Sequence, residues 1–159
     1  MKIADVLTPA LTVNQLPGNS KKRVLENISD LLAGQLDTDQ ELSETLFNSF
    51  LVRERLGSTG IGNGVAVPHC RSPGVKKIYG CLTKLATSVD FDAVDDQPVD
   101  LVFALVVPEE KNDEHLSTLA RIAQVMQSPT SRQMLRECKS NQELFNRVIH
   151  LEQREGLCG

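Results

Sequence analysis

Apolar residues recur at helical spacing in the first third of the chain and again in its last third. Val24, Leu25, Ile28, Leu31 and Leu32 form one stripe, with Ser20 placed as its N-cap. Leu42, Leu46, Phe47, Phe50 and Leu51 form a second, opened by Asp37-Thr38-Asp39 and closed at Gly57. Arg53 and Arg55 then fall in that helix's last turn, where cations suit the carbonyl end of the dipole. A third stripe, Leu116, Leu119, Ile122, Ala123 and Met126, follows Asn112 or Asp113 as cap. Two more helices are predicted, one after Thr130 and one after Ser140 carrying Leu144, Phe145, Val148 and Ile149.

Between these helical stretches the pattern changes to strand length. Residues 11–16 form a short first strand ended by Pro17-Gly18. Further strands are expected over 65–67, 77–86 and 89–91. Residues 99–107 are nearly continuous apolar and β-branched, the pattern of a central strand covered on both faces, and end at Pro108. Two helices, several strands and three helices make an α/β fold: a mixed β-sheet flanked by helices on both faces, as one domain over residues 1–159.

Composition narrows the function. A formal net charge of -4, with no Lys/Arg run, argues against a nucleic-acid surface. The first twenty residues hold no unbroken apolar segment of signal-peptide type. No run approaches the ~20 apolar residues of a membrane span. Cys70, Cys81, Cys138 and Cys158 form no C-x-x-C and no finger spacing with a histidine. They are expected to be small buried or half-buried thiols of a cytoplasmic protein, with no metal and no cofactor.

The stretch "GSTGIGNGVAVPHCR", residues 57–71, departs from this ordinary background. It is not a P-loop, which needs G-x-x-x-x-G-K-[ST]. It is not a dinucleotide fingerprint either: after Gly60 and Gly62 the last glycine position is Val65, and a helix precedes the stretch where a strand should. Gly57, Gly60, Gly62 and Gly64 permit close backbone approach, and Ser58 and Thr59 can bond nearby amides. Pro68 fixes its own φ and holds Val67 extended, so His69 sits on a rigid presenter at a strand end. His115 opens a helix just beyond the long apolar strand, where amides and the positive dipole end favour an anion and where it could meet His69. His150, late in the last helix, suits that helix's C-terminal end and is expected at the surface.

Two segments, "RERLGSTGIGNGVAVPH" and "LVFALVVPEEKNDEHLSTLARIA", resemble the type-2 IIA proteins of the bacterial phosphotransferase system. That family comprises the fructose–mannitol IIA domains and their free-standing nitrogen-regulatory relatives. "GSTGIGNG" with "PHCR" is more similar to the nitrogen-regulatory branch, although members often carry Ile where this chain has Val67. The resemblance extends from about Ile3 to the last helix and implies a mixed sheet flanked by helices. It implies that His69 is phosphorylated and that His115 and Arg53 are active-site residues. Ser58, Thr59, Gly60, Gly62 and Gly64 would then build a phosphate-binding loop. It further implies an HPr-like phosphohistidine donor and regulatory targets such as potassium transport proteins or sensor kinases, selected by phosphorylation state. Transfer between two histidines needs no nucleotide, which agrees with the missing Walker motif. Two other readings stay open: a sugar-transport component that passes phosphate to a IIB domain, and a binding module whose histidine is never phosphorylated.

Overall fold

The computed structural model describes residues 1–36, 40–110 and 113–155. In chain order the elements are α1 (Ile3–Val6), a 3-10 turn at Pro9–Leu11, β1 (Thr12–Leu16), α2 (Lys21–Leu36) and α3 (Gln40–Arg55). Then come β2 (Gly60–Gly62), β3 (Val65–Ala66), β4 (His69–Ser72), β5 (Tyr79–Val89) and β6 (Val99–Pro108), followed by α4 (Glu114–Gln127), α5 (Pro129–Arg136) and α6 (Asn141–Arg154).

The strands form one mixed sheet in the order β1-β5-β6-β3-β2, with β4 also paired to β6. β6 lies at the centre, antiparallel to β5 and parallel to both β3 and β4. Its side chains alternate between two apolar layers. Val102, Ala104 and Val106 pack on the layer supplied by α2 and α3. Leu101, Phe103, Leu105 and Val107 pack on the layer supplied by α1, α4, α5 and α6. Helices therefore cover both faces, as the unbroken apolar run of β6 predicts.

Capping follows the sequence closely. Ser20 Oγ accepts from Arg23 N at 3.1 Å, and Ser140 Oγ accepts from Glu143 N at 3.1 Å. α5 starts one residue before Thr130, with Pro129 in its first turn and Ser128 as the cap. Asp113 holds the N-cap position of α4 without a side-chain cap bond. Its alternative Asn112, the predicted opener Asp37-Thr38-Asp39 and Cys158 lie outside the described residues.

Three local differences from the sequence reading have physical causes. Residues 89–91 are not a separate strand: Val89 is the end of β5, paired with Val99, and Phe91 leaves the sheet to become fully buried. Gly60–Gly62 and Val65–Ala66 form a hairpin whose two-residue loop, Asn63-Gly64, has φ of 58° and 78°. Both values are positive, as a type I′ turn requires, and Asn-Gly is its preferred pair. α1 is only four residues long, too short for a periodic signal, and its amides are held from outside: Ile3 N donates to Glu152 Oε2 at 2.7 Å.

Phe103 is fully buried at the centre of β6. Phe103→Ala is expected to lower unfolding free energy by about 3–5 kcal/mol through lost transfer energy and the cavity left behind. Denaturant unfolding of both proteins checks this, and a loss under about 1 kcal/mol would contradict a two-faced core built on β6.

Candidate functional site

β3 and β4 run along the same strand neighbour, β6, but are separated by Val67 and Pro68. Proline has no amide proton to give, yet its carbonyl keeps the ladder connected by accepting from Leu105 N at 2.9 Å. Val67 N donates to Thr59 O at 2.9 Å, and the Val67 carbonyl faces His69, whose Nδ1 lies 2.9 Å away. A carbonyl can only accept, so Nδ1 carries the ring proton and Nε2 carries the lone pair. His69 is thus the first residue of β4, held in one tautomer by the break in the strand line.

Its environment keeps the ring neutral. Burial is the largest effect and pushes the His69 pKa below the ordinary 6.5, reinforced by the positive fields of Arg53 and His115. The Val67 hydrogen bond and the Glu54 carboxylate pull the other way and only partly offset it.

A groove of about 640 Å³ opens beside the ring, and Arg53, His69, Arg71 and His115 all line it. Arg53 comes from the last turn of α3 and donates through Nη1 to Gly57 O at 3.0 Å. His115 comes from the first turn of α4 and is buried, at 8% exposure. The three positions singled out in the sequence are therefore brought together, while His150 is exposed elsewhere on α6. Arg71 reaches across to the carbonyls of Pro108 and Glu110 at 3.4 and 3.3 Å. Nothing in the motif itself assigns Arg71 a role; its alternation with His69 across the buried Cys70 is the signal that marks it.

The glycine-rich loop is fastened by Glu54, a residue that no local sequence pattern marks. This carboxylate is 5% exposed, pairs with Lys21 Nζ at 2.7 Å, and accepts from Thr59 Oγ1 and from Thr59 N at 3.4 Å. Ser58 Oγ donates to Phe91 O at 2.6 Å and accepts from Gly60 N at 3.0 Å. A Cβ on Gly60 would stand 2.8 Å from that of Ala93. Gly64 carries the positive φ of the hairpin turn and has the Arg136 guanidinium and Asp100 against it. Gly62 precedes that turn, beside Asp95. Close packing at Gly60 and Gly64, and positive φ at Gly62 and Gly64, account for the lack of side chains at these positions. The hydroxyl protons of Ser58 and Thr59 are already donated within the protein.

Among the described residues the thiols offer no competing nucleophile. Burial pushes both Cys70 and Cys81 up to about 12. Cys138 is buried as well.

Residues 5–150 match the family model for the phosphoenolpyruvate-dependent sugar phosphotransferase system, EIIA 2. The chain belongs to the EIIA type-2 family. Among relatives of this EIIA chain, a nitrogen regulatory protein from Pseudomonas aeruginosa is 40% identical over 152 residues, covering 96% of this chain and 97% of the relative. The structure of the nitrogen regulatory protein IIA-Ntr from Neisseria meningitidis superposes with a TM-score of 0.83 at 36% identity, covering 92% and 97% of the two chains. A complex of enzyme IIAMTL with phosphorylated enzyme IIBMTL from Escherichia coli shares the fold, with a TM-score of 0.70 at 17% identity over 94% of this chain and 99% of that one. Among the described residues no helix of this EIIA protein is long and apolar enough to cross a membrane.

A lowered His69 pKa has two consequences that one titration checks. The ring should stay neutral, with its proton on Nδ1, at and somewhat below pH 6.5, and NMR of the ring nitrogens reads both. The unfolded chain takes up a proton at this residue first, so its contribution to stability is intact above 6.5 and declines as pH falls towards the folded pKa. A midpoint above 6.5, or a proton on Nε2, would contradict this account of the site.

Proposed function

We propose that this chain is a regulatory phosphocarrier whose nucleophile is Nε2 of His69, loaded by an HPr-like phosphohistidine protein. The observation that carries the reading is the tautomer lock, His69 Nδ1 to Val67 O at 2.9 Å, beside a groove shared with Arg53 and His115. Attack by the Nε2 lone pair forms a P–N bond while the P–N bond to the donor imidazole breaks. No proton has to move. The donor ring, protonated on its other nitrogen, leaves as neutral imidazole, and the positive ring charge passes to His69, where the Val67 carbonyl faces it. Arg53 and His115 serve the phosphoryl oxygens, whose charge is the main thing a protein can stabilise in such a transfer. Ser58 and Thr59 contribute the shape of the pocket wall, held by Phe91 and Glu54, while Gly60, Gly62 and Gly64 serve the turn of the hairpin behind it.

The rim supports a protein as donor. Val52 and Leu56, on the groove, are 56% and 81% exposed, and Leu116, next to His115, is 56% exposed. Exposed apolar side chains around a polar centre are the pattern of a protein-docking surface. The naming of the Pseudomonas and Neisseria relatives supports the regulatory branch. Potassium transport proteins and sensor kinases are the proposed classes of target, and the chain is proposed to act in the cytoplasm.

Incubation with an HPr-like donor should add one acid-labile, base-stable phosphoryl group, read by intact mass. His69→Ala should abolish it. Arg53→Ala and His115→Ala should each keep the site but slow transfer roughly 10²- to 10³-fold, about 2–4 kcal/mol of transition-state stabilisation. Phosphate on the His69→Ala protein would refute the assignment, and rates within about twofold of wild type would remove the other two residues from the mechanism.

The loaded state adds roughly two negative charges to the groove. A target covering Val52 and Leu56 with an apolar or acidic face should bind the unphosphorylated protein more tightly, by about 5- to 150-fold. Binding of both forms at matched salt tests this. Equal affinities, together with efficient transfer to a sugar-specific IIB domain, would assign the chain to sugar transport instead.

A further inference from the structure

A second groove, of about 800 Å³, lies on the β1 side of the sheet, away from His69. Three features of its floor stand out. Asn14 and Lys84 are register partners on the parallel strands β1 and β5, so their side chains project side by side. Lys84 is 8% exposed, yet its ammonium forms no ion pair among the described residues. It donates to Arg136 O at 2.9 Å and to Cys138 O, the carbonyls that end α5. Those carbonyls satisfy two of its protons, and the negative end of the α5 dipole offsets only part of its charge, which leaves one proton and net positive charge beside the groove. Next to it Asn14 Oδ1 is buried and has no protein partner. Between the two strands the register slips at Asn14/Leu16, and Gln15 takes φ 65°, a left-handed value rare for a residue with a side chain. An orphaned acceptor, a buried cation without an ion pair and backbone strain at one place are the marks of a binding site rather than of a surface optimised for stability.

The rim has both signs of charge. Lys139 and Arg147 line it, as does Glu143, which is 3.5 Å from Arg147 Nη2. We infer that this groove binds a free α-amino acid. The ligand's carboxylate meets the Lys84 ammonium and Lys139. Its ammonium donates to Asn14 Oδ1 and faces Glu143. A simple anion would leave Asn14 Oδ1 unanswered, and a simple cation would be repelled by Lys84. A ligand with an anionic end and a donor end satisfies both groups, and Glu143 on the rim favours an ammonium as that donor.

The full-length protein, isotope-labelled, can be titrated with glycine, L-glutamate and L-lysine, and separately with acetate and methylammonium, while backbone amide shifts are followed. At least one amino acid is expected to give saturable shifts at Asn14, Gln15, Lys84 and Lys139, about tenfold or more tighter than either one-ended compound. Lys139→Ala, at an exposed position, should weaken binding by about tenfold without disturbing the fold. Asn14→Ala should do the same, with its unfolding midpoint measured alongside. The inference is overturned by no saturable shift for all three amino acids up to roughly 50 mM, by acetate binding as tightly as they do, or by full affinity in Lys139→Ala.

Discussion

The ladder along β6 is continuous, but the chain that pairs with it is not. β3 and β4 occupy one line, and the dislocation between them at Val67-Pro68 sets the geometry of the site. Had the strand run straight through, the Val67 carbonyl would point into the ladder and His69 would alternate like any strand residue. Instead Pro68 keeps the contact to β6 with its carbonyl alone, and the Val67 carbonyl is left to engage the imidazole. A backbone defect therefore selects the tautomer. A side-chain partner could rotate away; a carbonyl between two β-paired segments cannot.

That defect is braced from one side by a small polar hub. Glu54 gathers Lys21 from α2 and Thr59 from the loop, while Lys21 also donates to Phe91 O at 3.4 Å and lies 5.2 Å from its ring centroid. Ser58 joins the same carbonyl. Four chain segments thus meet around one buried carboxylate. A buried acid with a salt bridge and hydroxyl and amide donors is satisfied, and removing any partner leaves charge in a poor dielectric. The hub explains why Thr59 O is in place to accept from Val67 N. Loop and presenter form one unit.

Much of this was legible in the sequence, for identifiable reasons. The apolar run of β6, the helix stripes after Ser20 and Ser140, and the Pro68-His69 presenter all report local constraints that survive tertiary packing. The β2–β3 hairpin was legible too, through Asn63-Gly64, but it was masked by the glycines around it. Phe91 misled, because a β-forming residue near an alternating stretch looks like strand when its real partners are Lys21 and the loop. Glu54 and Lys84 were hidden for another reason. Glu54 lies between two arginines in what reads as an exposed last turn, and Lys84 is one cation in a strand of mixed character. Their burial depends on long-range neighbours that spacing along the chain cannot report.

The electrostatics of the His69 groove have one further consequence for the proposed reaction. Arg53 and His115 disfavour a proton on His69, so before transfer they help to keep the lone pair available. After transfer, the same two positive fields act on a phosphoryl group carrying roughly two negative charges, and their sign becomes favourable. Groups that oppose a protonated ring favour a phosphorylated one, with no conformational change needed to reverse their effect. Glu54 sits in this field with the opposite preference, and its pairing with Lys21 mutes it. Position explains the division of labour: the carboxylate lies behind the loop and holds it, while Arg53 and His115 line the groove where charge arrives.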